Sequence, residues 1–201
     1  NAVKGNEDKI PEALEFAENL KTTPEGLSLC LSNYSNFQVD ASKFTLNILT
    51  YWLDRRFGEL PPPIISEIFD FLTITAVEQV YKIGPDGAEV LAKAQATFTI
   101  KTYLDTPEVL ERFFVFESDQ KKKAVLMRYI LYLLKELTTP TPTSIELHRM
   151  IIQKMQDDGS LGALAGIVQA GVFKKYIFAV ESLIYYCQFL DISFLNEEFL
   201  E

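Results

Sequence analysis

Histidine occurs once in this 201-residue chain and cysteine twice, and that scarcity removes much chemistry at the outset. Zinc takes three or four nitrogen, sulfur or oxygen ligands, and neither Cys30 nor Cys187 lies near His148 in sequence. No metal centre is therefore expected. His148, within Ile145-Glu146-Leu147-His148-Arg149, reads as a surface or groove histidine. The sequence also lacks a nucleophile elbow, a glycine-rich phosphate loop and a metalloprotease helix motif. Asp157-Asp158-Gly159 lacks the alternating oxygen ligands of a calcium loop. Helix carboxylates are plentiful, but no pattern marks a buried pair. Neither an enzyme nor a resident cofactor is expected.

Long apolar runs are missing too. The longest, Tyr176 to Leu190, is too short to span a bilayer and contains Glu181. Residues 1–9 are polar and lack the apolar stretch of a secretory signal. The expectation is a soluble chain with no membrane insertion. Cys30 and Cys187 each sit in an apolar helical run, where free cysteine behaves as a small core residue, so both are expected inside and reduced.

What is present is apolar and acidic. Apolar residues make up 48% of the chain, enough for a substantial core. The formal net charge of −9 argues against wholesale nucleic-acid binding but leaves room for a local basic patch. Residues 61–120 carry ten acidic and four basic side chains, while 121–201 carry nine of each. The middle third is thus a candidate docking surface for a basic partner.

Periodicity predicts helices throughout and no strand alternation. Ala13, Leu14, Ala17 and Leu20 mark a first helix from about Asp8 to Lys21. Thr23 serves as N-cap and Pro24 as first residue of a second helix that runs to about Tyr34. Asp40 caps a third, with Phe44, Leu46, Ile48, Leu49, Trp52 and Leu53 inward and Gly58 at its end. A fourth runs from Pro62 to about Lys82, with Ile65, Ile68, Phe69, Leu72, Ala76 and Val80 inward. Gly84-Pro85-Asp86-Gly87 reads as a turn before a fifth helix, Ala88 to Leu104. Thr106-Pro107-Glu108 repeats the cap-then-proline device and opens a sixth helix to Phe116. Further helices are expected over Asp119–Leu137, from Ser144 to a break near Asp158-Gly159, over Leu161–Ala170, and over Val172–Leu190.

Starts near residues 8, 40, 87, 119 and 172 give pairs averaging about forty residues, the period of HEAT-type repeats. The expected fold is all-α, a HEAT-repeat-type α-solenoid of antiparallel helix pairs, with a plain helical bundle as the alternative. Residues 1–201 would form one solenoid segment of about four to five pairs. In the last helix Phe173, Ile177, Val180 and Ile184 line one side, and Phe178, Tyr185 and Phe189 another. A terminal repeat needs a polar outer face, so the expectation is that the chain continues beyond Glu201 as a longer superhelix.

Two charged constellations stand out. Glu67, Asp70 and Glu78 fall on one stripe of the fourth helix, because offsets of three and eleven return to nearly the same side at roughly 100° per residue. Glu108, Glu111 and Glu117 add acid to the sixth. If second helices of pairs line the inner face, these acids make a concave negative patch. The basic set is Arg55-Arg56, Lys121-Lys122-Lys123 and Lys174-Lys175, each at a helix end or first turn, and is a candidate for phosphate contact.

Several segments resemble the amino-terminal region of the tRNA exportins, the exportin-t family of importin-β-like nuclear transport receptors. The run from Ala13 to Pro24 (ALEFAENLKTTP) resembles the family's A-L-x-Y-x-E-x-L-K-x-S-P, and Cys30 matches a cysteine soon after. Leu27 departs from the family, which has tryptophan there. Phe57-Gly58-Glu59-Leu60 sits where the family has an aromatic-S-E-L ending. Val180-Glu181, followed by Phe189-Leu190-Asp191-Ile192-Ser193, resembles the family's V-E…W-I-D-L-S at a like distance. The fragments spread over residues 13–195 in the family's order, and residues 61–118 match only in helical pattern.

The resemblance implies a superhelix whose amino-terminal repeats grip the GTPase Ran in its GTP form through inner helices. It would place Glu67, Asp70 and Glu78 on one such helix and Glu108 and Glu111 on the next. It implies tRNA binding through backbone phosphates, with Arg55, Arg56, Lys121, Lys122, Lys123, Lys174 and Lys175 as candidates. It also implies contact with nuclear pore proteins, shuttling between nucleus and cytoplasm, and GTP carried by the partner alone. Ran and tRNA would each favour one curvature and so raise the other's affinity. This segment alone is expected to keep partial Ran contact and to lose cooperative export. The alternatives are an importin, which would release cargo on meeting Ran·GTP, and a HEAT scaffold with no GTPase partner.

Overall fold

The computed structural model describes residues 10–34, 39–114 and 120–189, and all regular structure among them is helical. Ten α-helices follow one another: α1 (Ile10–Thr22), α2 (Pro24–Ser32), α3 (Val39–Arg55), α4 (Pro62–Asp70), α5 (Ala76–Thr102), α6 (Val109–Phe113), α7 (Gln120–Thr138), α8 (Ile145–Asp157), α9 (Ser160–Phe173) and α10 (Ile177–Tyr186). Packing divides the chain into two units, residues 1–94 and 95–201. No described helix is long and apolar enough to cross a membrane.

In the first unit the turn from α1 to α2 forms as its sequence demands. Thr23 is the N-cap, its Oγ1 accepting from the Gly26 amide at 3.1 Å, and Pro24 follows where no amide hydrogen is needed. Gly26 is buried where α2 meets the end of α1, and a Cβ there would lie 2.6 Å from both Cα and O of Leu20. Only glycine permits that approach. Leu27, Cys30 and Leu31 then face the core, while Leu14, expected inside, is 61% exposed. The Ala13 side chain lies outside the described set.

Helix α3 begins at Val39, so Asp40 falls within its first turn and not at the cap position. Thr45, Leu49 and Trp52, spaced four and three apart, make the fully buried stripe, with Leu46, Ile48 and Leu53 beside it. Phe44 lies off that stripe and is 39% exposed, contrary to expectation. Burial pushes the Cys30 thiol up, against an opposing hydrogen bond with Thr45. The helix stops at Arg55, ahead of Gly58, which sits in a 3₁₀ turn over Phe57–Glu59. Tyr34 and Phe71 close this core edge to face at 4.9 Å.

The expected single helix from Pro62 to Lys82 is interrupted. After α4 the backbone widens into a π-helical segment, Phe71–Thr75, before α5 begins at Ala76. Ile68 and Leu72 are buried as expected and Ile65 and Phe69 half-buried, whereas the side chains of Ala76 and Val80 lie outside the described set. The predicted Gly84–Gly87 turn shrinks to one residue. Gly84 takes φ 70°, ψ −177°, a region that L side chains avoid, and helix resumes through Pro85.

In the second unit α10 packs on α7 and α9, and α8 on α9. Tyr129 is buried on α7, its hydroxyl 2.9 Å from Thr99 Oγ1, and Phe113 meets its ring edge to face at 5.3 Å. Tyr103, fully buried, donates to Asp158 Oδ2 at 2.8 Å and lies within hydrogen-bond distance of Ser160 Oγ, also at 2.8 Å, and so ties the end of α5 to the α8–α9 turn. Burial raises the Asp158 carboxyl, but the hydrogen bonds from Ser160 and Tyr103 outweigh it and hold the group below its ordinary value.

Three expectations change here. The sixth helix is one short turn, Val109–Phe113, with Glu108 and not Thr106 at its cap position. The last helix starts at Ile177, because Lys174–Tyr176 forms a turn after α9. Cys187 therefore falls past the end of α10 and is exposed, not in the core.

His148 is 4% exposed, its Nδ1 finding no partner among the described residues. Burial pulls its pKa down and Lys101 adds to that, against Glu136 and a hydrogen bond with the Leu137 backbone. The unfolded chain therefore takes up this proton first as pH falls. Stability present at pH 7 is expected to decline as pH falls below the unfolded value of about 6.5. Urea midpoints between pH 7.5 and 5.5 test this, and His148→Gln should flatten that part of the profile.

Candidate functional site

Four of the candidate acidic residues, Glu67, Asp70, Glu108 and Glu111, are exposed, and the expected stripe cannot be followed through to Glu78. Glu67 and Asp70 are both exposed on α4. The π segment Phe71–Thr75 lies between Asp70 and Glu78, so the α-helical angular step does not run through to Glu78. The Glu78 side chain, and Glu117 altogether, lie outside the described residues. Glu108 and Glu111 are exposed on the short α6, where carboxylates near an N-terminus are favoured by the helix dipole.

The basic residues divide by environment. Arg56 serves the fold: Nη1 donates to the Thr22 carbonyl at 2.6 Å, at the end of α1. Its guanidinium stacks over the Trp52 ring at 4.4 Å and pairs with Glu59. The hydrogen bond from Arg56 is the first cause that holds the Glu59 carboxyl below its ordinary value. Arg55 is exposed, and it and Lys21 stand 6.0 and 5.0 Å from the centre of the Tyr51 ring. The side chains of Lys121 and Lys122 lie outside the described set.

Lys123 and Lys174, fifty-one positions apart in the numbering, line one groove. It measures about 490 Å³ and runs between α7 and α9, with Leu126 and Met127 on one side and Ala163, Gly166, Ile167 and Ala170 on the other. Phe114 and Tyr176 complete its wall. The hollow exists because α9 carries small residues at positions 163, 166 and 170, which return to one helical face. A Cβ placed on Gly166 would meet nothing within 4 Å. At the next turn the helices close up again. A Cβ on Gly171 would lie 2.6 Å from Ala179 Cβ and 2.7 Å from Met127 Sδ.

The turn that carries Lys174 is rigidly made. The Tyr176 amide donates to the Gly171 carbonyl at 3.1 Å and the Lys175 amide to Val172 at 2.8 Å, the paired bonds of a Schellman motif. Lys175 occupies its left-handed position at φ 59°, where glycine is the usual residue.

No protein-family model, curated protein or solved structure matches this chain.

A second, smaller hollow of about 360 Å³ is lined by Leu137, Pro140, Ile152, His148 and neighbouring polar residues of α8. His148 lines this groove but is itself buried, so it is not the surface histidine that was one of the two expectations. Among the described residues no cluster of three or more histidine, cysteine or acidic side chains could hold a metal. The arrangement suits binding: exposed carboxylates on α4 and α6, and an apolar groove with two ammonium groups. The glycine-spaced stretch 161–170 carried the signal for that groove, but nothing in the sequence said which helix would face it.

Proposed function

We propose that this chain is the amino-terminal part of a nuclear export receptor of the tRNA-exportin type, an α-solenoid that binds Ran·GTP and contributes to tRNA binding. The observation that carries the reading is the acidic surface of α4. Glu67 and Asp70 are exposed one turn apart, and neither is held in an ion pair among the described residues. Carboxylates without internal partners are suited to a basic protein face, where they steer association and set register. Lys123 and Lys174, drawn from separate basic clusters to one groove, support a phosphate-facing role. Packing of α1 on α2 fits an antiparallel pair, the unit such a solenoid repeats. The alternatives retain their place: an importin would bind Ran·GTP equally well, and a scaffold would ignore it.

The test is calorimetric titration with Ran locked in its GTP form and, separately, with Ran·GDP. Binding to the GTP form alone is expected. The double variant Glu67→Lys, Asp70→Lys should weaken it by at least about tenfold, since like charges would then face each other. Unchanged affinity in that variant, or equal binding of Ran·GDP, would sink the proposal.

A further inference from the structure

The geometry points to a ligand site in the α7–α9 groove for an amphipathic organic monoanion, an apolar body ending in a carboxylate. The inference rests on the groove and not on the transport reading. Its volume of about 490 Å³ falls in the range of small-molecule sites, roughly 300–1,000 Å³. Leu126, Met127 and Ile167 present hydrocarbon or thioether surface, and open space above Gly166 leaves room for an occupant. An apolar body is what such walls favour.

The charge selects the rest of the ligand. Lys123 is half-buried and Lys174 exposed, and among the described residues neither ammonium has an ion-pair partner. A lysine lays its methylene stem along an apolar wall and keeps its charge at the water boundary. Two such groups at one apolar groove favour a single anionic head attached to a hydrocarbon body. A bare phosphate would gain nothing from the groove, and a neutral chain nothing from the lysines. The hydrogen-bonded Schellman turn fixes the backbone of Lys174 and Tyr176, so that this wall is formed before a ligand arrives.

Dodecanoate, below its micellar concentration, is the probe, with dodecanol as its uncharged counterpart. Binding is read by calorimetry and by methyl NMR of protein labelled at methionine. Met127 lines the groove, whereas Met150 is exposed and Met155 buried away from it, so they serve as internal references. Saturable dodecanoate binding that moves the Met127 methyl alone is expected, with dodecanol weaker by about tenfold. Gly166→Leu should fill the groove and weaken dodecanoate by at least about tenfold while helical circular dichroism is retained. Lys123→Gln with Lys174→Gln should abolish the preference for dodecanoate over dodecanol, and this arm stands even if the leucine variant fails to fold. Equal binding of the two probes by the unaltered protein would overturn the proposal. So would a folded Gly166→Leu protein that binds as well as the parent, or a Met127 methyl that does not move.

Discussion

Replacing Trp52 with alanine is expected to destabilise the protein by about 3–5 kcal/mol, the usual range for truncating a buried aromatic. Trp52 is 0% exposed and is among the largest fully buried side chains. Its removal leaves a cavity that the surrounding core can fill only in part. The damage also spreads through Arg56. That guanidinium rests on the indole at 4.4 Å while donating to the Thr22 carbonyl, so losing the ring loosens the end of α1. Against a typical total of 5–15 kcal/mol, such a loss brings the fold near its limit. Trp52→Phe separates volume from polarity. It keeps most of the bulk and removes an indole N–H that has no acceptor among the described residues, so a cost below about 1.5 kcal/mol is expected. Urea unfolding followed by circular dichroism measures both. An alanine variant within 1 kcal/mol of the parent would show that Trp52 does not hold this core together.

Gly26→Ala is expected to cost about 2–3 kcal/mol even though alanine is the better helix former by about 1 kcal/mol. The new Cβ would lie 2.6 Å from Leu20 Cα, 2.6 Å from Leu20 O and 2.8 Å from Asn19 O. All three are backbone atoms, so no rotamer change relieves the overlap, and the α1–α2 turn must open. Fluorescence of Trp52, the single tryptophan, reads the change in the same unit. Gly162→Ala is the matched control. It lies inside α9, and its added methyl would meet nothing within 4 Å, so propensity alone should raise stability by about 0.5–1 kcal/mol. If both variants shift stability in the same direction, close approach is not what fixes glycine at position 26.

Much of the local structure was legible because it depends on neighbours in the chain. Thr23 and Pro24 announced the start of α2, and the structure places cap and proline there. Leu46, Leu49, Trp52 and Leu53 marked the buried side of α3 by spacing alone. Errors cluster where one element's fate depends on another. Periodicity placed Phe44 inside, but Thr45 holds the stripe and meets Cys30 of α2. A continuous helix through Phe71–Thr75 was the simplest reading of the pattern. The π segment that replaces it shifts the angular register, which is why Asp70 and Glu78 cannot be counted onto one stripe.

The sequence by itself determined that the described chain is helical, where most helices begin, and that its acids gather in residues 61–120. These follow from propensity, capping and composition, which act over a few residues. Only tertiary structure decided the uses of the charges. It assigned Arg56 to the Thr22 carbonyl and the Trp52 ring, and set Lys123 beside Lys174 in one groove. A basic residue at a helix end looks the same in sequence whether it clamps a neighbouring helix or faces solvent. The difference lies in contacts that packing makes between residues far apart in the chain.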